Sequence, residues 1–126
     1  MQSSKINTRV KGLAAESMAS GYLAKLGYTI IGANFFTRKG EIDLITYDAL
    51  TDQTVFVEVK SLGPNAQIDI RETISKTKKR RIIAACLYWL KKNGKINNDW
   101  RIDFVGIVLD NGGSLSRLVH LKAAIY

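Results

Sequence analysis

The sequence KGEIDLITYDALTDQTVFVEVKS, Lys39 to Ser61, reads as a β-hairpin that carries charged residues inside its strands. Two runs rich in Ile, Val, Phe and Tyr, Glu41–Tyr47 and Thr54–Ser61, alternate in the manner of strands. The polar segment between them, 48–53, is typical of a hairpin loop. Both strands nevertheless hold acidic residues among apolar ones, where a half-buried sheet needs only Thr or Ser.

Alternation of side chains assigns these charges to faces of the sheet. Glu41 and Asp43 share one face of the first strand, and Glu58 and Lys60 share one face of the second. If the loop closes symmetrically on the four residues 49–52, Asp43 lies directly across from Glu58, and Glu41 lies across from Lys60. The apolar residues on the opposite faces are Ile42 and Leu44 in the first strand and Val55, Val57 and Val59 in the second.

Two facing carboxylates need a cation, because cross-strand Cβ atoms are only about 4.5–5.5 Å apart. One arrangement is an ion cluster with Lys60 that stabilises a solvent-facing strand. The other is a hard divalent cation such as Mg²⁺, bound by Asp43, Glu58 and the carbonyl of Val59. In the second arrangement Lys60 would orient or deprotonate a water molecule, or neutralise charge on a phosphate. Such a set suits metal-assisted phosphodiester hydrolysis.

The flanking segments predict one mixed α/β domain, 1–126, with the order α-β-β-β-α-β-β and residues 1–7 as a flexible N-terminus. A doubly wound nucleotide fold is excluded, because three strands are consecutive and no Gly-rich phosphate loop follows a strand. Gly27 and Gly94 mark helix ends. The segment 62–74 is predicted to be irregular. The remaining predicted elements are helices Thr8–Leu26 and Ser75–Lys92 and strands Tyr28–Phe36, Arg101–Leu109 and Ser116–Leu121.

The composition favours a polyanionic partner. Nineteen Lys and Arg against eleven Asp and Glu give a formal net charge of +8 over 126 residues, which predisposes the chain toward nucleic acid or acidic membrane surfaces. The longest apolar run, Ile82–Leu90, is too short to span a bilayer. Cys86 is the only cysteine, so it is expected to be a core residue. We expect a cytoplasmic protein without a membrane partner.

Cations cluster at the beginning of the second helix, where the helix dipole disfavours them. Bound phosphates would remove this penalty. The alternative is a solvated helix end with no ligand. The cluster consists of Lys76, Lys78, Lys79, Arg80 and Arg81.

The string GEIDLI, followed after a short loop by VFVEVK, resembles the YraN-like family of bacterial predicted endonucleases. That family is similar to the PD-(D/E)xK nuclease superfamily and to Holliday-junction resolvases. The resemblance extends from about Arg9 to Ile125. It includes Ala15-Glu16, the stretch GYLAKLGYTI, Asn34, the K-x-x-x-R run of the second helix, the tripeptide RID at 101–103, and the final VHLKAAIY.

The resemblance implies roles for individual residues. Asp43 matches the first metal-binding aspartate, and Glu58 and Lys60 match the (D/E)xK acid and lysine. Glu16 matches the glutamate of the first helix that supports the metal. Glu41 matches the acid of GEID, whose role is left open between an ion pair with Lys60 and contact with a metal ion through water.

We therefore expect a restriction-endonuclease-like fold and a Mg²⁺- or Mn²⁺-dependent endonuclease that acts on DNA, including branched or junction DNA. Lys76 and Arg80 match the family's K-x-x-x-R positions, and a homodimer would ease cutting of two strands. The alternative is a catalytically silent nucleic-acid-binding module with the same fold. Two departures concern residues beside the motifs: Ala15 replaces the usual glycine, and Ser61 follows EVK where the family usually has a cation.

Other candidate residues are interpreted as structural. His120 is the only histidine and has no Cys or His companions for a zinc site. Arg101 and Asp103 share a face of one strand, which favours a structural ion pair over a third metal ligand. Tyr88, Trp89 and Trp100 are interpreted as core or rim residues rather than as base-stacking platforms.

Overall fold

The computed structural model describes residues 4–67, 69 and 73–126, with side chains from residue 12 onward. Within these residues the elements follow the predicted order α-β-β-β-α-β-β. Residues 1–3 of the predicted flexible N-terminus lie outside the described residues, as do residues 68 and 70–72 of the predicted irregular segment, whereas residues 4–7 are helical. The elements are α1 (Ser4–Lys25), β1 (Thr29–Phe36), β2 (Glu41–Asp48), β3 (Gln53–Leu62), α2 (Lys76–Lys92), β4 (Trp100–Leu109) and β5 (Leu115–Leu121).

The strands form one mixed sheet in the order β1-β2-β3-β4-β5. β1, β2 and β3 are successively antiparallel, β3 and β4 are parallel, and β4 and β5 are antiparallel. The parallel pair requires a crossover connection, which contains α2. The predicted mixed α/β fold class is confirmed.

The two helices cover opposite faces of the sheet, and each buries its own apolar cluster. Val55 and Val57 pack on the α1 side, whereas Phe56 packs on the α2 side, so the predicted alternation of β3 is confirmed. Cys86 is buried on the α2 side, as expected of a core residue. The helix residues in these clusters are Ala15, Ala19 and Leu23 of α1 and Ile82, Ala85, Cys86, Trp89 and Leu90 of α2.

The predicted alternation of side chains between the two faces of the sheet is wrong at the beginning of β2. Ile42 and Leu44 were predicted to share a face, but Ile42 packs in the α2-side cluster and Leu44 in the α1-side cluster. Regular pairing of β2 with β3 ends at Leu44 and Val57. Before Leu44, β2 pairs with β1, where the positive φ of Asn34 interrupts the regular pleat, and Phe35, the partner of Ile42, packs against the same α2-side cluster.

The turn between β1 and β2 packs directly on the first turns of α2. A Cβ atom at Gly40 would collide with the backbone carbonyl of Arg81, so only glycine allows this approach. Arg81 Nε also donates a hydrogen bond to the Lys39 carbonyl oxygen at 3.1 Å. These contacts place the beginning of β2, and therefore its acids, beside the basic end of α2.

The helix ends agree with the sequence signals. Gly27 and Gly94 have positive φ angles of 95° and 67°, as expected of residues that follow a helix. Ser75 caps α2, since its hydroxyl oxygen accepts a hydrogen bond from Lys78 N at 3.1 Å. Neither described helix combines the length and the apolar character needed to cross a membrane.

Candidate active site

Asp43 and Glu58 meet where β2 and β3 separate. The register pairs Asp48 with Gln53 and Leu44 with Val57, which confirms the predicted loop over 49–52 and makes Asp43 and Glu58 the next opposed residues. Beyond that point Asp43 Oδ2 accepts a hydrogen bond from Val59 N at 2.7 Å. The carboxyl groups of Asp43 and Glu58 lie close enough for each to shift the pKa of the other.

Burial controls the protonation of this acid pair. Glu58 is only 4% exposed, and burial together with the Asp43 charge raises the pKa of Glu58 to about 7. Burial also raises the pKa of Asp43, although the Val59 N–H opposes this shift. The pair therefore holds a proton near neutral pH, and a cation placed between the two groups would displace it.

Lys78 of α2 supplies the cation nearest to the pair. Its Nζ lies 2.9 Å from Glu58 Oε1. Lys60, which sequence reasoning placed beside Glu58, is exposed and makes no ion pair in the part of the chain that the structure describes. Pairing of β2 with β3 ends before Glu41 and Lys60, so the structure does not bring them together as cross-strand neighbours.

Glu16 approaches the acid pair from α1. It is half-buried and lines a cleft together with Asn34, whose side-chain amide acts to lower the pKa of Glu16. Burial and the charge of Asp43 raise the pKa of Glu16. Asn34 lies in β1 between the pairs Ala33–Leu44 and Phe35–Ile42, which places it opposite Asp43.

Asn34 is a site residue to which sequence reasoning gave no chemical role. Its φ of 53° is positive, a conformation that asparagine tolerates better than most residues. Sparsely populated backbone conformations occur preferentially at functional sites. The available signal was an amide within the otherwise apolar and aromatic run Tyr28–Phe36.

The chemistry of the oxygen donors fits a hard divalent cation. Asp43 and Glu58 supply adjacent carboxylates, and the Val59 peptide is fixed beside them through its N–H. Within residues 4–67, 69 and 73–126, no three His, Cys, Asp or Glu side chains lie close enough together to hold a metal ion. Two carboxylates and a backbone carbonyl leave coordination positions for water, which Mg²⁺ usually retains. Glu16 would reach such an ion through water.

The cationic cluster of α2 divides into two groups. Lys78 and Arg81 line a cleft of about 220 Å³ together with Glu41. Lys76 and Arg80 are exposed, and each lies about 160° around the helix from Lys78. The cleft contains Lys78 and Arg81 rather than the two residues that the resemblance assigns to the groove. Lys79 is also exposed.

Comparison with known proteins identifies the family. Residues 15–107 match the sequence profile described as "Uncharacterised protein family UPF0102". The chain belongs to this family. UPF0102 is the YraN-like family that the motifs resemble.

Curated UPF0102 relatives align over most of their own length. A UPF0102 protein of Anaeromyxobacter sp. (strain Fw109-5) is 34% identical over 105 residues, covering 83% of this chain and 77% of that protein. One from Marinomonas sp. (strain MWYL1) is 38% identical over 112 residues, with 89% and 85% covered. One from Pelotomaculum thermopropionicum is 33% identical over 116 residues, with 92% and 95% covered.

A second polar cluster in this UPF0102 chain is structural. Arg101 Nε lies 2.9 Å from Asp103 Oδ1, which confirms the predicted ion pair. Arg101 Nη2 donates to Tyr28 Oη at 2.7 Å and to Asp48 Oδ2 at 3.3 Å, and Nη1 donates to Gln53 Oε1 at 2.6 Å. His120 Nε2 lies 2.8 Å from Asp103 Oδ2. Burial acts to raise the pKa of Asp103, but the hydrogen bonds that its carboxylate accepts hold this pKa below its usual value. The charges of the cluster are therefore satisfied by one another.

Proposed function

We propose that this UPF0102 chain is a Mg²⁺- or Mn²⁺-dependent endonuclease that hydrolyses phosphodiester bonds in DNA. The observation that carries the proposal is the buried Asp43–Glu58 pair beside a cleft lined by Lys78 and Arg81. Acids whose pKa values are raised by burial and that have a specific charge partner beside a cleft are candidates for functional sites. The net charge of +8 supports an anionic substrate.

Each side chain has a defined role in this proposal. Asp43, Glu58 and the Val59 carbonyl would hold the metal ion, which when bound supplies Lewis-acid activation of the phosphodiester. Asn34 lines the same cleft as Glu16 and would hold its carboxylate, so that Glu16 can orient a water molecule. Arg81 and Glu41 line the same cleft, and Arg81 would contact a phosphate next to the one that is cut.

Two lysines can serve the reacting phosphate, and their positions assign them different tasks. Lys78 already contacts Glu58 at 2.9 Å, so a small movement would transfer its charge to an adjacent phosphate and stabilise the transition state. Lys60 is exposed and is the candidate for orienting or deprotonating the attacking water.

A cleavage assay with matched variants tests the proposal. Supercoiled plasmid, linear duplex and a four-way junction are incubated with Mg²⁺ or Mn²⁺, using wild type, Asp43→Asn, Glu58→Gln and Asp99→Asn. Asp99 is an exposed acid at the opposite end of β3 and β4, so its variant controls for loss of charge. We expect wild type and Asp99→Asn to nick DNA, and each of the other variants to lose about 100-fold or more in rate.

Two results would contradict the nuclease proposal. One is the absence of cleavage of every substrate with either metal, and the other is a full rate in Asp43→Asn. Retained DNA binding without cleavage would support the alternative, a silent binding module. Sedimentation velocity with and without junction DNA tests the homodimer, which would bring two such sites to two strands.

A further inference from the structure

A second cleft adjoins the candidate active site and differs from it in composition. It measures about 350 Å³, and its lining includes Phe36, Arg38, Lys39, Tyr88 and Lys92. Among the residues that the structure describes, its lining contains cations and aromatic rings but no acid. Phe36 and Thr37 also line the cleft of Lys78 and Arg81, so the two clefts are adjacent and share these residues.

The aromatic rings of this cleft are presented to solvent. Phe36 is 69% exposed and Tyr88 is 51% exposed, which leaves apolar surface uncovered. The ring of Tyr88 is supported by Phe35, with centroids 6.1 Å apart and an interplanar angle of 33°. Phe36 is the register partner of Glu41 and lines the same cleft as Glu41 and Lys78, so it lies at the edge of the candidate active site.

Exposed aromatic faces beside cations are the recognition elements of sites for single-stranded nucleic acid. Bases stack on the rings, and Lys and Arg neutralise the phosphates between them. The bases of an intact duplex are already stacked and cannot offer their faces to a ring. This chemistry therefore favours unpaired nucleotides over a double helix.

We propose that the cleft of Phe36, Tyr88, Arg38, Lys39 and Lys92 binds an unpaired DNA strand that continues into the candidate active site. Bases stack on Phe36 and Tyr88, and the three cations pair with phosphates. The inference rests on the proposed nuclease function, because it names the substrate class: DNA with unpaired nucleotides next to the position that is cut.

Binding measured in EDTA tests the cleft independently of cleavage. The probes are a fluorescein-labelled oligothymidylate and a labelled blunt duplex, followed by anisotropy. Because base–aromatic stacking is strong, Phe36→Ala and Tyr88→Ala should each weaken oligothymidylate binding by about 5-fold to 150-fold. Duplex binding should change by less than about twofold. Tyr88→Phe keeps the ring and should keep the affinity.

Leu50→Ala is the matched control. Leu50 is 93% exposed and lies in the β2–β3 loop, at the other end of the sheet from the clefts, so its removal should change neither affinity. Unchanged oligothymidylate affinity in both aromatic variants would overturn the proposal. Equal losses for oligothymidylate and duplex would overturn its preference for unpaired bases.

A spectroscopic variant reports stacking directly. Phe36→Trp places an indole on the cleft, whereas Trp89 is buried and Trp100 stacks on Tyr126. Bound oligothymidylate should quench the new emission, with much less change in wild type. Saturation without quenching would overturn the stacking contact. Tighter binding of oligouridylate than of oligothymidylate would assign the cleft to RNA and overturn the choice of DNA.

Cleavage with Mg²⁺ separates the two proposals. Stacking-dependent binding without cleavage of a duplex that carries a single-stranded tail would support the cleft and contradict the nuclease function. Cleavage with unchanged binding in Phe36→Ala and Tyr88→Ala would support the nuclease function and contradict the cleft. If both hold, the tailed duplex should be cut faster than the blunt duplex.

Discussion

Lys78 of α2 and Glu58 of β3 form an ion pair 2.9 Å long at one edge of the α2–sheet interface. The cation on the buried glutamate therefore comes from the basic cluster of α2 and not from Lys60 of the Glu-x-Lys motif. This contact joins two features that the sequence presents separately, the acidic hairpin and the basic helix. It gives the basic cluster a local role in addition to any contact with DNA.

Removal of Lys78 should destabilise the protein above neutral pH. Lys78→Met leaves the buried Glu58 carboxylate without its cation, and we expect the free energy of unfolding to fall by about 1 kcal/mol, since the lysine is partly exposed and screened. Urea denaturation near pH 8 measures this loss. Lys91→Met, an exposed lysine of the same helix, should be neutral. In a protein that already carries Glu58→Gln, Lys78→Met should have little effect. If it lowered the free energy of unfolding as much as it does in wild type, the ion-pair explanation would be contradicted.

The raised pKa of Glu58, about 7 instead of the usual 4.5, predicts a stability change with pH. Between these values the folded protein retains a proton that the unfolded chain has lost, so the Glu58 contribution to stability falls as pH rises from 4.5 to 7 and is then constant. Glu58→Gln lacks this dependence. Its stability relative to wild type should therefore increase over that interval, by up to about 3 kcal/mol.

Denaturation curves of wild type and Glu58→Gln at several pH values provide the measurement. Only the difference between the two proteins is interpreted, because Asp48 and Asp103, whose pKa values are lowered, change stability in the opposite direction. Asp99→Asn should follow wild type. A difference between Glu58→Gln and wild type that does not vary with pH would contradict the raised pKa.

Metal binding should stabilise the protein most at high pH. Because the pKa values of Glu58 and Asp43 are both raised, that of Glu58 to about 7, protons compete with Mn²⁺ at low pH, and this competition weakens as pH rises. At a concentration one hundred times the dissociation constant the stabilisation is about 2.7 kcal/mol, which thermal denaturation detects. We expect a larger increase in Tm near pH 8 than near pH 5 for wild type, and a small increase at either pH for Asp43→Asn. Equal increases in both proteins would place the ion elsewhere.

The sequence predicted the order of the elements and the register of the hairpin, because both depend on local signals. The alternation of side chains along each strand and the length of the loop, four residues, were sufficient to predict that Asp43 and Glu58 lie opposite each other. The contact of Lys78 with Glu58 was not predicted, since it depends on where α2 crosses the sheet. The Asn34 contact with Glu16 was also missed, because it requires a positive φ in the middle of a strand.

Aromatic residues of α2 illustrate the same limit. Trp89 was interpreted as a core or rim residue and is buried, whereas Tyr88 is about half exposed and lines the second cleft. The side chains of neighbouring helix residues differ by about 100° in direction. A small rotation of α2 about its axis would therefore change which of the two rings the sheet covers. The packing of α2 on the sheet fixes that orientation, with Trp89 against Phe56 of β3 and Tyr88 beside Phe35 of β1.

Arg101 should be among the most sensitive positions for stability. Its guanidinium bridges Asp103, Tyr28 and Asp48 inside the fold, and lysine cannot reproduce this fork of donors. Arg101→Lys should lower the free energy of unfolding by about 2–4 kcal/mol. Lys122→Ala, at an exposed cation, should change it by less than about 0.5 kcal/mol. A neutral Arg101→Lys would contradict a structural role for the cluster.

Gly40 and Gly21 should respond oppositely to alanine. A Cβ atom at Gly40 would collide with the Arg81 backbone, so Gly40→Ala should push the β1–β2 turn away from α2 and cost about 1–3 kcal/mol. At Gly21, in α1, an added Cβ would meet nothing within 4 Å, so Gly21→Ala should stabilise by about 0.5–1 kcal/mol.

Urea denaturation measures both glycine variants, and the cleavage assay adds a second test of Gly40. The β1–β2 turn holds Glu41 beside Lys78 and Arg81 in one cleft. Gly40→Ala should therefore slow cleavage even at temperatures where the variant remains fully folded, whereas Gly21→Ala should leave the rate unchanged. A stable, fully active Gly40→Ala would show that close packing of the turn on α2 is not required to assemble the site.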